Sequence, residues 1–423
     1  MSGRRSPAAT RRTALARAGA ARIAWAGGQM PVLGAIGERF ARERPLAARR
    51  VAACLHITAE TANLVRALAA GGAEVSLCAA NPLSTQDDVA AALVAEHAAT
   101  VYGVRGEDRA AYERALRELV DSAPQILIDD GAELIVCAHR DGGAVAMGLL
   151  GATEETATGL VALRALEAQD ALCCPVLAIN ETLTERVFND RYGTGQSTLD
   201  GILRATDLLL AGRAVVVLGY GSAGRGVAAR AKGAGAAVIV CEVDAVAALE
   251  ARMEGFDVMS ALAAAPLGEV FITVTGAPDV LRREHFELMR DGAVLANAGH
   301  FDVEINLDEL AALAGRPPRE VLPLVDEYEV AGRRLHLIAK GRVVNLAAAA
   351  GHPASVMDLS FAMQALAVAG LASEAGERRP GVHAVAPALD QEVARLKLAT
   401  LGIEIDALSE HQERYLRPLR AMH

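Results

Sequence analysis

Aromatic side chains are scarce: one Trp, six Tyr and seven Phe make up 3% of 423 residues. A chain that reads nucleic acid by stacking bases needs more rings, and a net charge of −10 repels a phosphate backbone. Nucleic acid is therefore not an expected partner. A small anionic cofactor stays open, because glycine-loop N–H groups and a helix N-terminus attract phosphate whatever the overall charge. Cysteine is sparse too. Cys54, Cys78, Cys137, Cys173, Cys174 and Cys241 lie mostly inside apolar runs such as "VAACLHI" and "LIVCAH", without the C-x-x-C pairs of a zinc site. They read as reduced core residues, and no metal is expected. No uncharged run reaches the roughly 18–20 apolar residues of a membrane helix; "VVNLAAAAGHPASVM" stops short and contains Gly, Pro and Asn. Six arginines precede the first acid, Glu38, but the continuous apolar stretch and small-residue cleavage site of a secretory signal are missing. The start reads as frayed and basic, and the chain as soluble and cytoplasmic, with no membrane partner.

What is present is a globular composition, 52% hydrophobic and 22% charged, which excludes disorder. Domains run roughly 100–200 residues, so this length suits about two. From residue 50 to 177 short apolar runs alternate with helical patterns: "VAACLHIT", "AETANLVRALAAGG", "AEVSLCAANP", then "QILIDDG", "AELIVCAH" and "CPVLAIN". That alternation predicts β-α-β units with a parallel sheet. The pattern restarts near Ala211 with "RAVVVLGYGSAGRGVAARAKGAGAAVIVCEVD", and the polar stretch from Glu181 to Asp207 reads as an interdomain connection. After "GRVVNLAAAAGHPASVMDLSFAMQALAVAGLA" the pattern turns long and helical, where the chain is expected to return to the first unit.

Val215 to Leu218 is a branched apolar run followed at once by Gly219-x-Gly221-x-x-Gly224 and then by helical sequence. This is the dinucleotide fingerprint in its required setting: one glycine turns, one admits the pyrophosphate and one lets helix and strand approach. The next strand ends in Glu242, an acid placed to bond the adenosine ribose diol and repel a 2′-phosphate, so NAD is favoured over NADP. Further polar residues stand where strands should end, which is where open α/β sheets place their sites. They are His56 and Thr58, Asp129 and Asp130, Glu154 and Glu155, and His300. Singly each has a bland reading: a core imidazole for His56, a turn former for Asp130, helix-start charges for Glu154 and Glu155.

In this order the segments "CLHITAETANL", "NPLSTQDDVAAA", "ILIDDGAEL", "EETATG", "DGILRATDLLLAGRAVVVLGYGSAGRG", "MEGFDV", "NAGHFDVEI", "GRVVNLAAAAGHP" and "GVHAVAPALDQEVARLKL" resemble the S-adenosylhomocysteine hydrolase family, from about Trp25 to Leu401. The resemblance implies an α/β fold of two Rossmann-like lobes with parallel sheets, the NAD-binding lobe inserted in a discontinuous substrate lobe. The implied boundaries are 1–182 and 352–388 for the nucleoside lobe, 190–350 for the NAD lobe, and 389–423 for a C-terminal helical segment. It also implies the chemistry. Oxidising a 3′-hydroxyl places a carbonyl beside C4′, whose proton becomes acidic; a base removes it, and the 5′ substituent leaves.

By position, the resemblance makes His56, Asp130 and His300 acid–base groups and Glu155 a ribose contact. Glu60, Thr58 and His352 match adenine-pocket positions. Thr156, Thr158, Asp190, Ser222, Ala223, Glu242, Val243, Thr275, Ala298, Gly299, His300 and Asn345 join the three glycines as cofactor positions. In "NETLTERVFNDRYG" the chain departs from the family: Glu185 stands where a lysine is expected, and Asn189-Asp190 reverses an Asp-Asn pair. A carboxylate cannot stabilise an alkoxide as an ammonium does, but it can accept a hydroxyl proton. Ala157, Ala247 and Thr194 replace a threonine, an asparagine and a cysteine, and the end "RYLRPLRAMH" lacks the family's Lys- and Tyr-containing tail, so a weaker cofactor grip is expected.

Because the changes gather at the sugar contacts, Glu185 and Asn189 are read as substrate-binding and catalytic groups for an altered sugar. The reading that follows is a nucleoside-antibiotic dehydratase resembling the angustmycin type, converting psicofuranosyladenine to a 4′,5′-alkene. The alternatives are a true adenosylhomocysteinase and a non-catalytic NAD and nucleoside binder. An adenine nucleoside is the expected substrate, and a homo-oligomer, dimer or tetramer, the expected state.

Overall fold

A computed structural model describes residues 7–96, 99–140, 145–299, 302–374 and 376–420. Two sheets organise them. The first contains β1 (Arg50–Leu55), β2 (Glu74–Ala79), β3 (Thr100–Tyr102), β4 (Ile126–Asp129), β5 (Gly151–Glu154) and β6 (Pro175–Ala178). The second contains β7 (Ala214–Leu218), β8 (Ala237–Cys241), β9 (Asp257–Val258), β10 (Val270–Thr273), β11 (Ala293–Asn297), β12 (Arg319–Leu322), β13 (Val325–Val330) and β14 (Arg333–Ile338). A last strand, β15 (Gly381–Ala384), returns to pair in parallel with β6, Val382 opposite Val176.

The first sheet runs β15-β6-β5-β4-β1-β2-β3, every pair parallel. The second runs β12-β13-β14-β11-β10-β7-β8-β9, parallel except that β13 pairs antiparallel with both β12 and β14. The whole second sheet is thus inserted between β6 and β15. Strands such as "ILID" and "AVVVL" are buried almost throughout, as parallel strands covered by helices on both faces must be. The two lobes are those expected of the α/β fold.

One reading of the sequence is corrected and two are given structural detail. The start from Pro7 is not frayed but a helix, Pro7–Gly27; Ile23 and Ala26 are buried and Arg22 pairs with Asp88 at 3.1 Å. The connection from Glu181 to Asp207 is mostly helical. A π-helical segment, Glu185–Thr194, runs directly into the helix Gly195–Thr206. A Cβ on Gly195 would lie 2.6 Å from the carbonyl carbon of Gly226, so two glycines bring this helix against the helix Ser222–Gly233. Finally, the apolar stretch continues beyond Met357. The helix Ala354–Ser373 is long and apolar enough to cross a membrane by length and composition, yet its most apolar window is 72% buried within this chain. Its one acid, Asp358, is fully buried and accepts from the Val32 and Leu33 amides and from Lys397 Nζ (2.8 Å). All six cysteines are free, and five are buried.

Candidate active site

The carboxyl ends of both sheets open into one cavity of about 590 Å³. Leu55 ends β1 and His56 follows it, Asp130 follows β4, Glu155 follows β5, Gly221 follows β7, Thr275 follows β10 and Gly299 follows β11, and all of these line it. Loops at the carboxyl ends of parallel strands are the one place where a doubly wound sheet can gather side chains from distant sequence. Of the remaining predicted residues, Thr58, Glu60, Thr156, Thr158, Asn189, Asp190, Ser222, Ala223, Asn345 and His352 also line the wall. The described wall carries four carboxyls, Glu60, Asp130, Glu155 and Asp190, and no lysine or arginine.

His56 and Asp130 face each other, Nε2 to Oδ2 at 3.3 Å. On the far side of the ring Nδ1 lies 2.7 Å from Ser84 Oγ, whose own proton goes to the Asn81 carbonyl (2.7 Å). Ser84 has no second proton, so His56 Nδ1 is the donor there and the mobile proton belongs to Nε2 and Asp130. Across the cavity His352 Nε2 sits 3.2 Å from Thr194 Oγ1 and 3.4 Å from Asn345 Nδ2. Desolvation pushes its imidazole down to about 4, the charge of His56 adding to the effect, so His352 is neutral near pH 7.

Adjacent glutamates after β5 divide their work. Glu154 is fully buried and accepts from the Gly131, Ala132 and Thr156 amides and the Thr156 hydroxyl, fastening two strand-end loops together. Asp129 likewise accepts from the Asp130 and Ile135 amides. Glu155 instead faces the cavity, holding bonds from Ser360 Oγ (2.6 Å) and Gln364 Nε2 (3.3 Å) of the long helix. Burial, then the charge of Asp130, pushes its carboxyl up to about 7. Glu185 is not on the wall. Only 1% exposed, it lies behind Asn189, whose Nδ2 donates to Glu185 Oε2 at 2.5 Å, and burial followed by the Glu155 charge pushes it up to about 8. Of the two residues expected to meet a sugar, Asn189 lines the cavity and Glu185 stands behind it. Asp190 is pushed up to about 6 by burial, against the pull of Arg186.

The second-lobe end is built for a dinucleotide phosphate. Gly219 has φ +108°, a left-handed conformation, and a Cβ on Gly224 would collide with the Gly219 carbonyl, so both positions demand glycine. A Cβ on Gly221 would meet nothing within 4 Å: the loop leaves open the space into which a pyrophosphate fits. Gly221 also starts the helix Ser222–Gly233 without a side-chain cap, so its first N–H groups await an anion. These residues fit NAD. Glu242 stands at the end of β8, but its carboxylate is largely occupied by the amides of Tyr220, Val243 and Asp244. A carboxylate accepts about four bonds, so room for a ribose hydroxyl remains.

Several predicted cofactor positions act otherwise than through the cavity wall. Gly219, Gly224, Glu242, Val243 and Ala298 do not line it, and the Val243 side chain is fully exposed. Thr156 lines it, but its hydroxyl is engaged with Glu154 and the Gly159 amide as a helix cap. His300 lies outside the described residues. Reasoning from the sequence passed over Ser84, Ser360, Gln364 and Glu304. Glu304 is fully buried and holds the Thr275 amide and hydroxyl and the Gly276 amide at the cavity edge. It stands inside the quoted "NAGHFDVEI", so an acid in an otherwise strand-end motif was its only signal.

A family model described as "S-adenosyl-L-homocysteine hydrolase, NAD binding domain" matches residues 190–351, and one described as "S-adenosyl-L-homocysteine hydrolase" matches residues 9–147. Adenosylhomocysteinase of Aquifex aeolicus is 54% identical over 403 residues, covering 95% of this chain and 96% of that one. The enzymes so named from Gloeobacter violaceus and Thermococcus kodakarensis are each 51% identical over 403 residues, covering 95% of this chain and 94% and 95% of theirs. With more than half of these positions identical across nearly its whole length, the chain belongs to the adenosylhomocysteinase family and takes NAD as its cofactor.

Proposed function

We propose that this chain transiently oxidises the 3′-hydroxyl of an adenine nucleoside, removes the C4′ proton and expels the 5′ substituent. The observation that carries the reading is the single cavity that sets the His56–Asp130 pair opposite the uncapped glycine loop. When bound, NAD supplies reversible two-electron oxidation of a sugar hydroxyl; Gly221, Ser222, Ala223, Thr275 and Asn345 would hold it. The chain's own residues handle protons. His56, its Nδ1 anchored by Ser84, presents Nε2 and Asp130 as a base that collects a proton and an acid that returns it. His352, kept neutral, offers a ring nitrogen and no charge to the base end of the nucleoside.

The names of the relatives favour S-adenosylhomocysteine as the substrate, giving adenosine and homocysteine, over the dehydratase reading. One observation supports the dehydratase as a second reading: the buried acid Glu185 behind Asn189, at a position where the family pattern has a cation. Incubating the NAD-loaded chain with S-adenosylhomocysteine or with psicofuranosyladenine, and reading products by mass, separates the two. Homocysteine release at an enzyme-like rate is expected; a product lighter by one water from psicofuranosyladenine alone would establish the dehydratase instead. Turnover of neither would overturn both and leave a binder. We further propose a homo-oligomer, supported by the exposed Leu401, Ile403, Ile405 and Leu408 near the C-terminus. A solution mass equal to one chain would refute it.

A further inference from the structure

We propose that Glu304 is a positioning residue for the hydride-accepting end of NAD: its buried carboxylate ties together the two loops there and biases the bound cofactor toward the oxidised form. The inference rests on NAD being the cofactor and not on which nucleoside the chain takes. Strand order places that end. In the run β11-β10-β7-β8 the glycine loop follows β7 and Glu242 stands at the end of β8 on one side, while β10 and β11 lie on the other. A dinucleotide whose pyrophosphate crosses the glycine loop and whose adenosine ribose reaches Glu242 must lay its other half toward the ends of β10 and β11. The cavity wall there includes Thr275, Gly276 and Gly299.

Glu304 stands directly behind this wall. Thr275 donates its amide (2.9 Å) and its hydroxyl (3.0 Å) to Oε2, and Gly276 donates its amide (2.7 Å) to Oε1. In the neighbouring loop a Cβ on Gly299 would lie 1.6 Å from Oε1, so the carboxyl fills the place that any side chain at 299 would take. One group therefore sets the shape of both strand-end loops. Its own backbone is anchored as well: the Glu304 carbonyl accepts the Leu281 amide at 3.0 Å, and Ile305 bridges in parallel to Leu281. Glu304 is fully buried, and among the described residues its side chain meets three donors and pairs with no lysine, arginine or histidine. Donors on both oxygens are the surroundings of a carboxylate. Neutral donors spread such a charge without cancelling it, and in a buried site its field reaches across the thin wall. An oxidised nicotinamide ring is positively charged, and after taking a hydride it is neutral. A fixed negative charge behind the wall thus favours the oxidised ring and makes the bound couple a weaker oxidant. Under the proposed function the hydride is borrowed and returned, and this bias favours its return.

Competition between NAD and NADH for the full chain tests the inference without a nucleoside. The protein is equilibrated with mixtures of the two, freed of unbound cofactor, and read by the near-ultraviolet absorbance of the reduced ring. Glu304→Gln should weaken both cofactors and shift the bound ratio toward NADH by about tenfold, equal to about 30 mV for a two-electron couple. Glu304→Asp keeps the charge but shortens its reach, so both affinities should fall while the ratio stays within about twofold of the unaltered chain's. Thr275→Val strips one donor from the carboxylate, should move the ratio toward NAD by about threefold, and gives a reading if the variants at 304 fail to fold. An unchanged ratio in Glu304→Gln, an equal shift in Glu304→Asp, or a Thr275→Val ratio that stays put or moves toward NADH would overturn the inference, because the carboxyl would then act on the loops alone. If the ratio shifts as expected but no nucleoside is turned over, the role of Glu304 stands and the proposed function fails. Turnover with an unmoved ratio would sink only the role of Glu304.

Discussion

At the second-lobe end of the cavity the ligand-facing atoms are backbone: the open face of Gly221 and the uncapped amides that begin the helix Ser222–Gly233. At the first-lobe end they are the side chains of Glu155, after a strand, and Asn189, on the π-helical segment, with Ser360 and Gln364 of the long helix holding Glu155 from behind. Under the proposed function the difference follows from the ligands. A pyrophosphate is anionic and is met by N–H groups that any chain carries, provided side chains stay out of the way. A sugar is neutral and offers donors, so it must be read by acceptors placed one by one. The second-lobe end depends on what is absent from three positions, the first-lobe end on what is present at several.

The largest effect expected from breaking this contrast is at Gly224. Gly224→Ala drives a methyl into the Gly219 carbonyl, so NAD affinity should fall by at least about a hundredfold and stability by about 2–4 kcal/mol, checked by NAD titration and denaturant unfolding. At the opposite end, Asp130→Asn removes the proton partner of His56. Turnover should drop by about 10²–10⁴ while adenosine affinity changes much less, and comparable losses in both would show that Asp130 only binds.

A third test concerns stability. Glu155 and Glu185 are pushed from about 4.5 to about 7 and about 8, and the clamp Glu154 to about 8. Between these limits the folded chain holds more protons than the unfolded one. Stability is therefore greatest below about pH 4.5 as far as these groups go, and falls as pH rises to about 8, by on the order of a few kcal/mol. Unfolding midpoints that rise from pH 6 to about pH 8 would contradict this. The smallest effect is expected at Gly221, where Ala meets no neighbouring atom: stability should change by less than about 0.5 kcal/mol while NAD binding weakens by about tenfold. Together Gly224→Ala and Gly221→Ala separate a glycine needed by the fold from one needed by the ligand.

Much of the cofactor end was legible because it is local. Strand, glycines, helix and terminal acid lie within about thirty residues, and each has a steric reason to be where it is. Even there Glu242 is more occupied than its motif position implies, because the amides of its own turn and of Tyr220 reach it first. The sugar end was legible in part. Glu185 stood out as an acid where a cation was expected, but its place behind Asn189 and its relation to Glu155 were not visible. Nor could Glu154 be told from Glu155: neighbours on a strand end point to opposite sides, and one meets backbone amides while the other meets a cavity.

Sequence alone determined the alternating α/β pattern, the inserted second unit and the glycine loop, because periodicity and steric exclusion act over short stretches of chain. Only the tertiary structure decided which carboxyls are fastened and which are free to act, that the basic start folds as a helix against Asp88, and that the apolar helix Ala354–Ser373 is a core element supplying Ser360 and Gln364 to the site. Burial, and the company of charges from distant segments, set those outcomes, and neither quantity exists until the lobes have packed.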